Sequence, residues 1–215
     1  MFNTIFPKIH KEGYKFLAIS ILSTFIVLNF SKFLGIILIL VSVWIYYFFR
    51  DPERHPINDD NYLVSPADGL ITDISEKSGP EELQLENTSY TRVSVFMNVF
   101  NCHVNRVPSS GKVEEIFYKP GKFLNASLDK ASEENERNFF KIKLINGEEI
   151  VIVQIAGLIA RRIVCEVEEG QDLKQGERIG MIRFGSRVDI YFKNKKVLAK
   201  LGQNVVSGES LIASD

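Results

Sequence analysis

Two uncharged apolar runs near the N-terminus constrain the fold of this chain more than any other feature. Residues 16–31 and 33–49 contain no charged side chain, and a single lysine, Lys32, separates them. One continuous helix through both runs would be about 50 Å long, which exceeds the roughly 30 Å of a hydrocarbon core. The pattern therefore predicts a hydrophobic hairpin of two short helices over residues 1–49.

Basic residues flank this hairpin on both sides. Lys8, Lys11 and Lys15 precede the first run. Arg50 and Arg54 follow the second. Because basic residues favour the cytoplasmic side of a membrane, both ends of the hairpin are expected in the cytoplasm. Each run is slightly short for a full crossing, so spanning the bilayer and inserting only into its interface both stay open.

The rest of the sequence predicts a mainly β domain. Residues 50–62 contain two prolines and mixed charges, which is typical of a linker. From residue 63 to 215, short runs of alternating apolar and polar residues are separated by turn residues. The polar segment 120–138 is long for a connection between strands. It is predicted to be a functional or mobile flap with a helical turn over residues 127–134.

Two internal repeats refine the fold prediction. PADGLITDI from Pro66 and PSSGKVEEI from Pro108 share one frame and lie 42 positions apart. GQDLKQGERI from Gly170 and GQNVVSGESL from Gly202 share another and lie 32 positions apart. Such repeats favour hairpin units around a pseudo-twofold axis, although chance similarity of glycine-rich turns stays open. The predicted fold is a barrel-sandwich domain of the lipoyl and biotinyl-carrier kind, preceded by the α-helical hairpin.

Composition argues against several classes of function. The chain has 26 basic and 27 acidic residues, so its overall charge does not favour nucleic acid as a partner. Its two cysteines are too few for a secreted disulfide framework and indicate a reducing compartment. Only one of the three histidines, His103, lies in the predicted β domain. No usual zinc site is expected, since no cysteine pair has ligand spacing.

An acid, a base and a hydroxyl remain as candidate catalytic groups. Asp68 lies in SPADG, His103 in FNCHVNRVP and Ser186 in GMIRFGSRVDIYF. The alternation of residues 180–192 predicts a strand in which Ser186 shares the apolar face and Gly185 marks a bulge or a close backbone approach. An Asp–His–Ser set could activate the hydroxyl. The structural alternatives are a turn aspartate and a satisfied core histidine.

From Asp51 to the C-terminus the chain resembles the phosphatidylserine decarboxylases of the short prokaryotic type. The resemblance is carried by FFRDPER, SPADG, NVFNCHVNRVPSSGKV, YKPGKFLNASLDKASEENERN, VQIAGLIARRIV and FGSRVD, in the family's order. It implies that the bond between Gly185 and Ser186 cuts itself, giving chains 1–185 and 186–215, and that Ser186 becomes a covalent pyruvoyl group. Glycine suits this position because it does not hinder attack and tolerates a strained backbone.

The resemblance also implies the reaction. The pyruvoyl ketone would form a Schiff base with the amino group of phosphatidylserine and accept electrons as carbon dioxide leaves, so that phosphatidylethanolamine is released. His103 would act as the base on Ser186 and later as a general acid, and Asp68 would orient its imidazole. Longer relatives carry a second histidine where this chain has Arg106. His103 would therefore serve both steps, unless another group supplies a proton.

The anionic headgroup of such a substrate calls for basic partners. The candidates are Arg106, Lys122, Arg137, Arg161 and Arg162, each of which could instead be part of a solvated face. The implied partners are phosphatidylserine in the membrane and the two cleaved chains as a heterodimer, and a homo-oligomer stays open. The expected location is the cytoplasmic side of the cell membrane, where the hairpin keeps the site at the lipid interface.

Two other functions stay open from the residues alone. A membrane-tethered carrier or adaptor on a lipoyl-like barrel is favoured by the repeats and by LDKAS, in which Lys130 would be modified. A membrane serine hydrolase would use Asp68, His103 and Ser186 on an external substrate. It would keep Ser186 as a serine, whereas a decarboxylase would not.

Overall fold

The computed structural model describes residues 7–126, 131–158 and 162–215 and divides into two compact units. The first unit is Met1–Glu53 and the second is Arg54–Asp215. The boundary between the units thus falls inside the segment predicted as a linker, residues 50–62. The central part of the predicted flap, residues 127–130, lies outside the described residues.

The first unit contains the predicted pair of helices. Helix α1 spans Tyr14–Leu28 and helix α2 spans Lys32–Phe48. Ser31 caps α2, since its hydroxyl accepts a hydrogen bond from the Leu34 backbone N–H at 3.4 Å. Within the ranges that the structure describes, no helix combines the length and the apolar character needed to cross a membrane.

Hydroxyl groups connect these two apolar helices. The Oγ atoms of Ser20 and Ser42 lie 2.7 Å apart, and Thr24 Oγ1 lies 3.4 Å from the same Ser42 oxygen. At the base of the hairpin, the short strands β1 (Lys8–Ile9) and β2 (Arg50–Asp51) pair in antiparallel fashion. Large apolar side chains cover much of the outer surface of the helices and are exposed.

The second unit is built almost entirely of β-strands. The strands are β3 (Tyr62–Val64), β4 (Gly69–Ser78), β5 (Ser89–Met97), β6 (Val104–Arg106), β7 (Gly111–Lys119), β8 (Arg137–Leu144), β9 (Glu149–Ala156), β10 (Arg162–Cys165), β11 (Asp172–Leu173), β12 (Arg178–Arg183), β13 (Ser186–Phe192), β14 (Lys196–Val197), β15 (Asn204–Val205) and β16 (Leu211–Ser214). The short helices are 3-10 turns at Lys11–Gly13 and Glu81–Leu83 and helix α3 (Ala131–Glu134). The prediction of a mainly β domain behind a helix pair is confirmed.

One large antiparallel sheet organises the unit. Its strand order is β11-β7-β8-β9-β13-β5-β4-β15, and it curls into a half-barrel. Two three-stranded sheets, β10-β12-β6 and β14-β16-β3, complete the unit. The main hydrophobic core contains Val188, Ile190 and Phe192 of β13 together with residues of both smaller sheets.

The internal repeats make equivalent hydrogen bonds. Strand β4 follows the first PxxG motif and pairs with β15, and β7 follows the second and pairs with β11. In each pair, the glycine of the PxxG motif is the register partner of the fourth residue of a GQ repeat: Gly69 pairs with Val205, and Gly111 pairs with Leu173. Both β4 and β7 also carry a register shift at the same repeat position, after Ile71 and after Val113. The similarity of the repeats thus extends from their sequences to the pairing of the strands that they contain.

Residues 180–192 do not form one continuous strand. Phe184 and Gly185 both have positive φ angles, +62° and +59°, and separate β12 from β13, which belong to different sheets. The prediction of a single alternating strand is therefore wrong at this turn. Within β13 the predicted face is correct, because Ser186 has the same parity as the core residues Val188 and Ile190.

Truncation of Ile152 tests the position of the core. Ile152 is fully buried on β9, and Ile152→Ala should lower the free energy of unfolding by about 2–5 kcal/mol, because it leaves a cavity. Ile145, which is exposed, provides the matched control, and Ile145→Ala should change stability by less than about 0.5 kcal/mol. Urea unfolding measures both, and equal losses would contradict this core.

Candidate active site

Ser186 is the first residue of β13. Its side chain is fully buried, and its Oγ has no hydrogen-bond partner among the described residues. The backbone pairs it with Met97 of β5 on one side and with Ala156 of β9 on the other. A buried hydroxyl without a partner costs about 1–3 kcal/mol, so this position fits a group retained for chemistry rather than for stability.

The backbone before Ser186 is held in an unusual conformation. Both Phe184 and Gly185 lie in the left-handed region, which costs a residue with a side chain roughly 1–2 kcal/mol. On the neighbouring strand segment, a β-carbon at Gly157 would overlap the carbonyl oxygen of Gly185. The close backbone approach predicted at Gly185 therefore depends on Gly157, which is level with it across β9 and β13.

A buried ion pair follows Ser186 along β13. Arg187 Nε lies 2.8 Å from Asp189 Oδ1, and Arg187 Nη1 donates to the carbonyl oxygen of Ala126 in the flap at 3.3 Å. Burial lowers the pKa of the neighbouring Arg92, but the carboxylates of Asp189 and Asp73 outweigh this effect and raise that pKa above its ordinary value. Through the hydrogen bond of Arg187 to Ala126, the strand after Ser186 is connected to the flap.

His103 lies in the loop between β5 and β6 and is fully buried. Its Nδ1 is 3.0 Å from the carbonyl oxygen of Asn101. Because a carbonyl only accepts hydrogen bonds, this contact places a proton on Nδ1, so the neutral imidazole has its lone pair on Nε2. The His103 carbonyl also accepts a hydrogen bond from the Ile182 backbone N–H at 3.3 Å, which joins this loop to the end of β12. The imidazole tautomer therefore suits a base that acts through Nε2.

Asp68 is hydrogen-bonded to other groups. Its carboxylate accepts from Arg54 Nη2 at 2.8 and 2.9 Å and from the Ser207 backbone N–H at 2.8 Å. Within the described part of the chain, these are its partners, so the structure does not bring its carboxylate onto the His103 imidazole. Asp68 precedes β4, which is separated from β13 by β5. Two strand spacings, roughly 10 Å, therefore lie between the start of β4 and Ser186.

Two of the predicted anion-binding residues are buried in internal contacts. Arg106 donates from Nη1 to the carbonyl oxygen of Gly176 at 2.8 Å. Arg137 forms a salt bridge with Glu82, with Nη2 2.9 Å from Oε1. Both guanidinium groups therefore bind other parts of the chain in this structure.

The other predicted basic residues are more accessible. Lys122 is exposed, and its Nζ lies 2.9 Å from Glu134 Oε2. Arg161 lies outside the described residues. Arg162 is exposed and has no ion-pair partner among the described residues. Directly opposite it on β12 is Arg183, whose pKa burial lowers. Two arginines are thus paired in register two residues before Gly185.

Three buried amides, which the sequence analysis missed, lie close to this site. Gln154 Nε2 donates to Asn105 Oδ1 at 2.8 Å, and Asn138 Nδ2 donates to Gln154 Oε1 at 3.4 Å. Asn105 Nδ2 lies 3.6 Å from the sulfur of Met97, the residue that pairs with Ser186. A signal was present in the sequence, because Gln154 is a polar residue at a core-facing position of the run EEIVIVQIAG.

A cavity of about 260 Å³ opens beside the junction. It is lined mainly by apolar side chains, among them Phe96 and Leu158, together with Gly185 and the flap residues Asn125 and Ala126. No group of side chains that could hold a metal ion occurs in the described ranges. The cavity thus borders Gly185 and Met97, the cross-strand partner of the buried Ser186.

Related proteins share this sequence over almost its entire length. The phosphatidylserine decarboxylase family model matches residues 41–213. A phosphatidylserine decarboxylase proenzyme of Pelagibacter ubique (strain HTCC1062) is 63% identical over 213 residues, which covers 99% of this chain and 99% of the relative. Proenzymes of the same name from Rickettsia akari and Rickettsia rickettsii are 51% identical over 214 residues, covering 99% of this chain and 92% of each relative.

Gly157→Ala tests whether the close approach at the junction matters. The added β-carbon would displace the Gly185 carbonyl, and a misplacement of about 1 Å can slow a reaction about 100-fold. Cleavage between residues 185 and 186, followed by mass spectrometry, should slow by at least about 10-fold.

Gly147→Ala is the control for this substitution. Gly147 also has a positive φ, so alanine is strained there, but a β-carbon meets no atom within 4 Å. The control should lose some stability and still be cut at the normal rate. A Gly157→Ala chain that is cut as fast as the control would show that the junction tolerates displacement.

Proposed function

The chain belongs to the phosphatidylserine decarboxylase family, and we propose that it cuts its own backbone and then converts phosphatidylserine to phosphatidylethanolamine. The enzyme is a carboxy-lyase. The observation that carries this function is 63% identity to a phosphatidylserine decarboxylase proenzyme over 99% of both chains. The buried and unpartnered hydroxyl of Ser186, placed after a strained turn, supports self-cleavage at that point.

Self-cleavage would begin at the Gly185 carbonyl. Ser186 Oγ attacks the carbonyl carbon while His103 Nε2 takes the hydroxyl proton, and the carbon–nitrogen bond between residues 185 and 186 breaks as the nitrogen is protonated. In the resulting ester, loss of the Cα proton of residue 186 and cleavage of its Cβ–Oγ bond release the Gly185 carboxylate and leave a dehydroalanine at residue 186. Hydrolysis with loss of ammonia converts this residue into a pyruvoyl group. The low hindrance at Gly185 and its approach to Gly157 support this sequence of steps.

The surroundings of residue 186 fit a pyruvoyl group. The side chain is enclosed, and its neighbours across the strands, Met97 and Ala156, are uncharged and buried. When present, the group supplies a carbonyl that takes up electrons as carbon dioxide leaves the substrate. The enclosing side chains exclude water, and His103 Nε2 holds or delivers the proton that the product needs.

Two proposed chains, 1–185 and 186–215, would stay associated after the cut. Strand β13 is hydrogen-bonded along its length to β5 and β9, which belong to the longer chain. The catalytic domain is proposed to be residues 63–215, with a barrel-sandwich architecture. The equivalent hydrogen bonds of the two repeats support that architecture.

Arg162 and Arg183 are proposed to bind the anionic headgroup. They are register partners on neighbouring strands, so one anion could contact both side chains. Arginine forms strong paired hydrogen bonds with both phosphate and carboxylate. Arg162 is exposed, as a residue that meets an incoming headgroup must be.

The first unit is proposed to attach the enzyme to the cytoplasmic face of the cell membrane. Many large apolar side chains of α1 and α2 are exposed, including Phe25, Phe30 and Phe33. Lysines before α1 would favour anionic headgroups on the cytoplasmic side. Such attachment would keep the catalytic domain near its lipid substrate.

Ser186→Ala tests the proposed function. The wild type should give a fragment that begins at residue 186 and is lighter by one ammonia than a serine-headed peptide. Ser186→Ala should remain one chain and release no carbon dioxide from phosphatidylserine vesicles, because it lacks the attacking oxygen. Intact-mass spectrometry and carbon dioxide release measure these results.

Ser94→Ala is the matched control, since Ser94 is also fully buried and its hydroxyl also lacks a partner in the described structure. That variant should be cut and active. A wild type that remains one unmodified chain would overturn the proposal. Labelling of that intact chain by a fluorophosphonate would then favour the serine hydrolase.

Arg162→Gln tests the headgroup site. Loss of one charge-assisted contact should raise KM for phosphatidylserine about 10-fold and leave kcat and self-cleavage nearly unchanged. Lys143→Gln is the control. It removes an exposed charge near the C-terminal end of β8 and should leave KM unchanged. An unchanged KM in Arg162→Gln would remove Arg162 from the headgroup site.

A further inference from the structure

Three amide side chains form a directed chain inside the half-barrel. Asn138, Gln154 and Asn105 are 2%, 0% and 0% exposed. Asn138 donates to Gln154, and Gln154 donates to Asn105, at 3.4 and 2.8 Å. Each donor fills the acceptor of the next residue. Asn105 therefore accepts from the chain at Oδ1 and presents its NH₂ group at the far end.

A row of buried amides in an apolar core lowers the stability of the fold unless every amide is hydrogen-bonded. Burying an amide costs free energy unless its hydrogen bonds are satisfied, and Gln154 lies on the same face of β9 as the core residues Ile152 and Ala156. The described partner of Asn105 Nδ2 is the sulfur of Met97 at 3.6 Å, and a thioether is a weak acceptor. The amide chain thus ends in a donor that has no strong acceptor.

The Asn105 end of the amide chain lies beside Ser186. Met97 is the direct cross-strand partner of Ser186, and residues in that position have Cβ atoms about 4.5–5.5 Å apart. The hydroxyl of Ser186 is buried and has no hydrogen-bond partner among the described residues. An underused donor and an unpartnered oxygen are therefore separated by one flexible methionine side chain.

We infer that the Asn105 carboxamide donates a hydrogen bond to the side-chain oxygen of Ser186 as it reacts, and that Gln154 and Asn138 fix the direction of that donor. Negative charge develops on Oγ when His103 removes its proton, and a preorganised N–H group in a dry site stabilises such charge. Gln154 and Asn138 are positioning residues in this arrangement. The inference rests on the proposed self-cleavage.

Asn105→Asp tests the donor itself. Aspartate has nearly the same shape and still accepts the hydrogen bond from Gln154, but an oxygen replaces the NH₂ group that faces residue 186. Loss of one preorganised donor typically slows a reaction about 100-fold or more. Full-length chain made by cell-free synthesis should therefore convert to the 186–215 fragment about 100-fold more slowly than the wild type.

Gln154→Glu tests the direction of the donor while Asn105 is unchanged. A carboxylate at residue 154 cannot donate to Asn105 Oδ1, so the Asn105 amide must rotate and donate to Glu. Its NH₂ group would then no longer face residue 186, and cleavage should slow to a similar extent. A purely structural role for the amides would not produce this effect.

Gln175→Glu is the control, because Gln175 is a buried amide that donates to the Tyr62 carbonyl at 2.9 Å, away from Ser186. It should lower the melting temperature, measured in a Ser186→Ala background, without slowing cleavage. Normal cleavage of Asn105→Asp beside a cut wild type would overturn this inference alone. An uncut wild type would overturn the proposed function and this inference together.

Discussion

The hydrogen bonding of β13 on both sides is the constraint on which the site depends. From Ser186 onward, every backbone position up to Tyr191 is paired with both β5 and β9. Immediately before it, Phe184 and Gly185 are in the left-handed region and belong to neither ladder. The bond between residues 185 and 186 thus joins a rigid strand to a strained turn. Strain and rigidity meet at the one bond that the family resemblance identifies as the cleavage site.

The strand order of the large sheet explains why two glycines meet there. The large sheet reads β11-β7-β8-β9 in one half and β15-β4-β5-β13 in the other, so β9 and β13 are the adjoining central strands. Because they are antiparallel and Ser186 pairs with Ala156, Gly157 at the end of β9 is level with Gly185 before β13. Any side chain at Gly157 would overlap the Gly185 carbonyl. The close approach of Gly157 to the Gly185 carbonyl therefore follows from the register in which β9 and β13 pair.

The reacting residues were predicted from motifs and stay predictions, whereas their long-range partners could not be predicted from the sequence. The alternation after Gly185 correctly predicted a buried Ser186, and the repeats marked the segments that lead into β4, β7, β11 and β15 without predicting how these strands pair. The partner of Asp68 is Arg54, which the sequence placed in a linker, and the His103 tautomer is set by the carbonyl of Asn101. Every residue has a backbone carbonyl, so the sequence pattern does not show which carbonyl accepts a given hydrogen bond. The amide chain was missed because its members come from three different strands.

A cut at residue 185 removes only one covalent restraint from the new chain end. The ladders to β5 and β9 persist, and the Arg187 side chain binds both Asp189 and the carbonyl of Ala126 in the flap. The pair of Arg187 and Asp189 is buried, so the loss of either partner would leave an uncompensated charge. Residue 186 therefore stays at the same place in the sheet before and after cleavage. In the proposed function, the same enclosed position would serve two successive reactions, first on the protein's own backbone and then on a lipid headgroup.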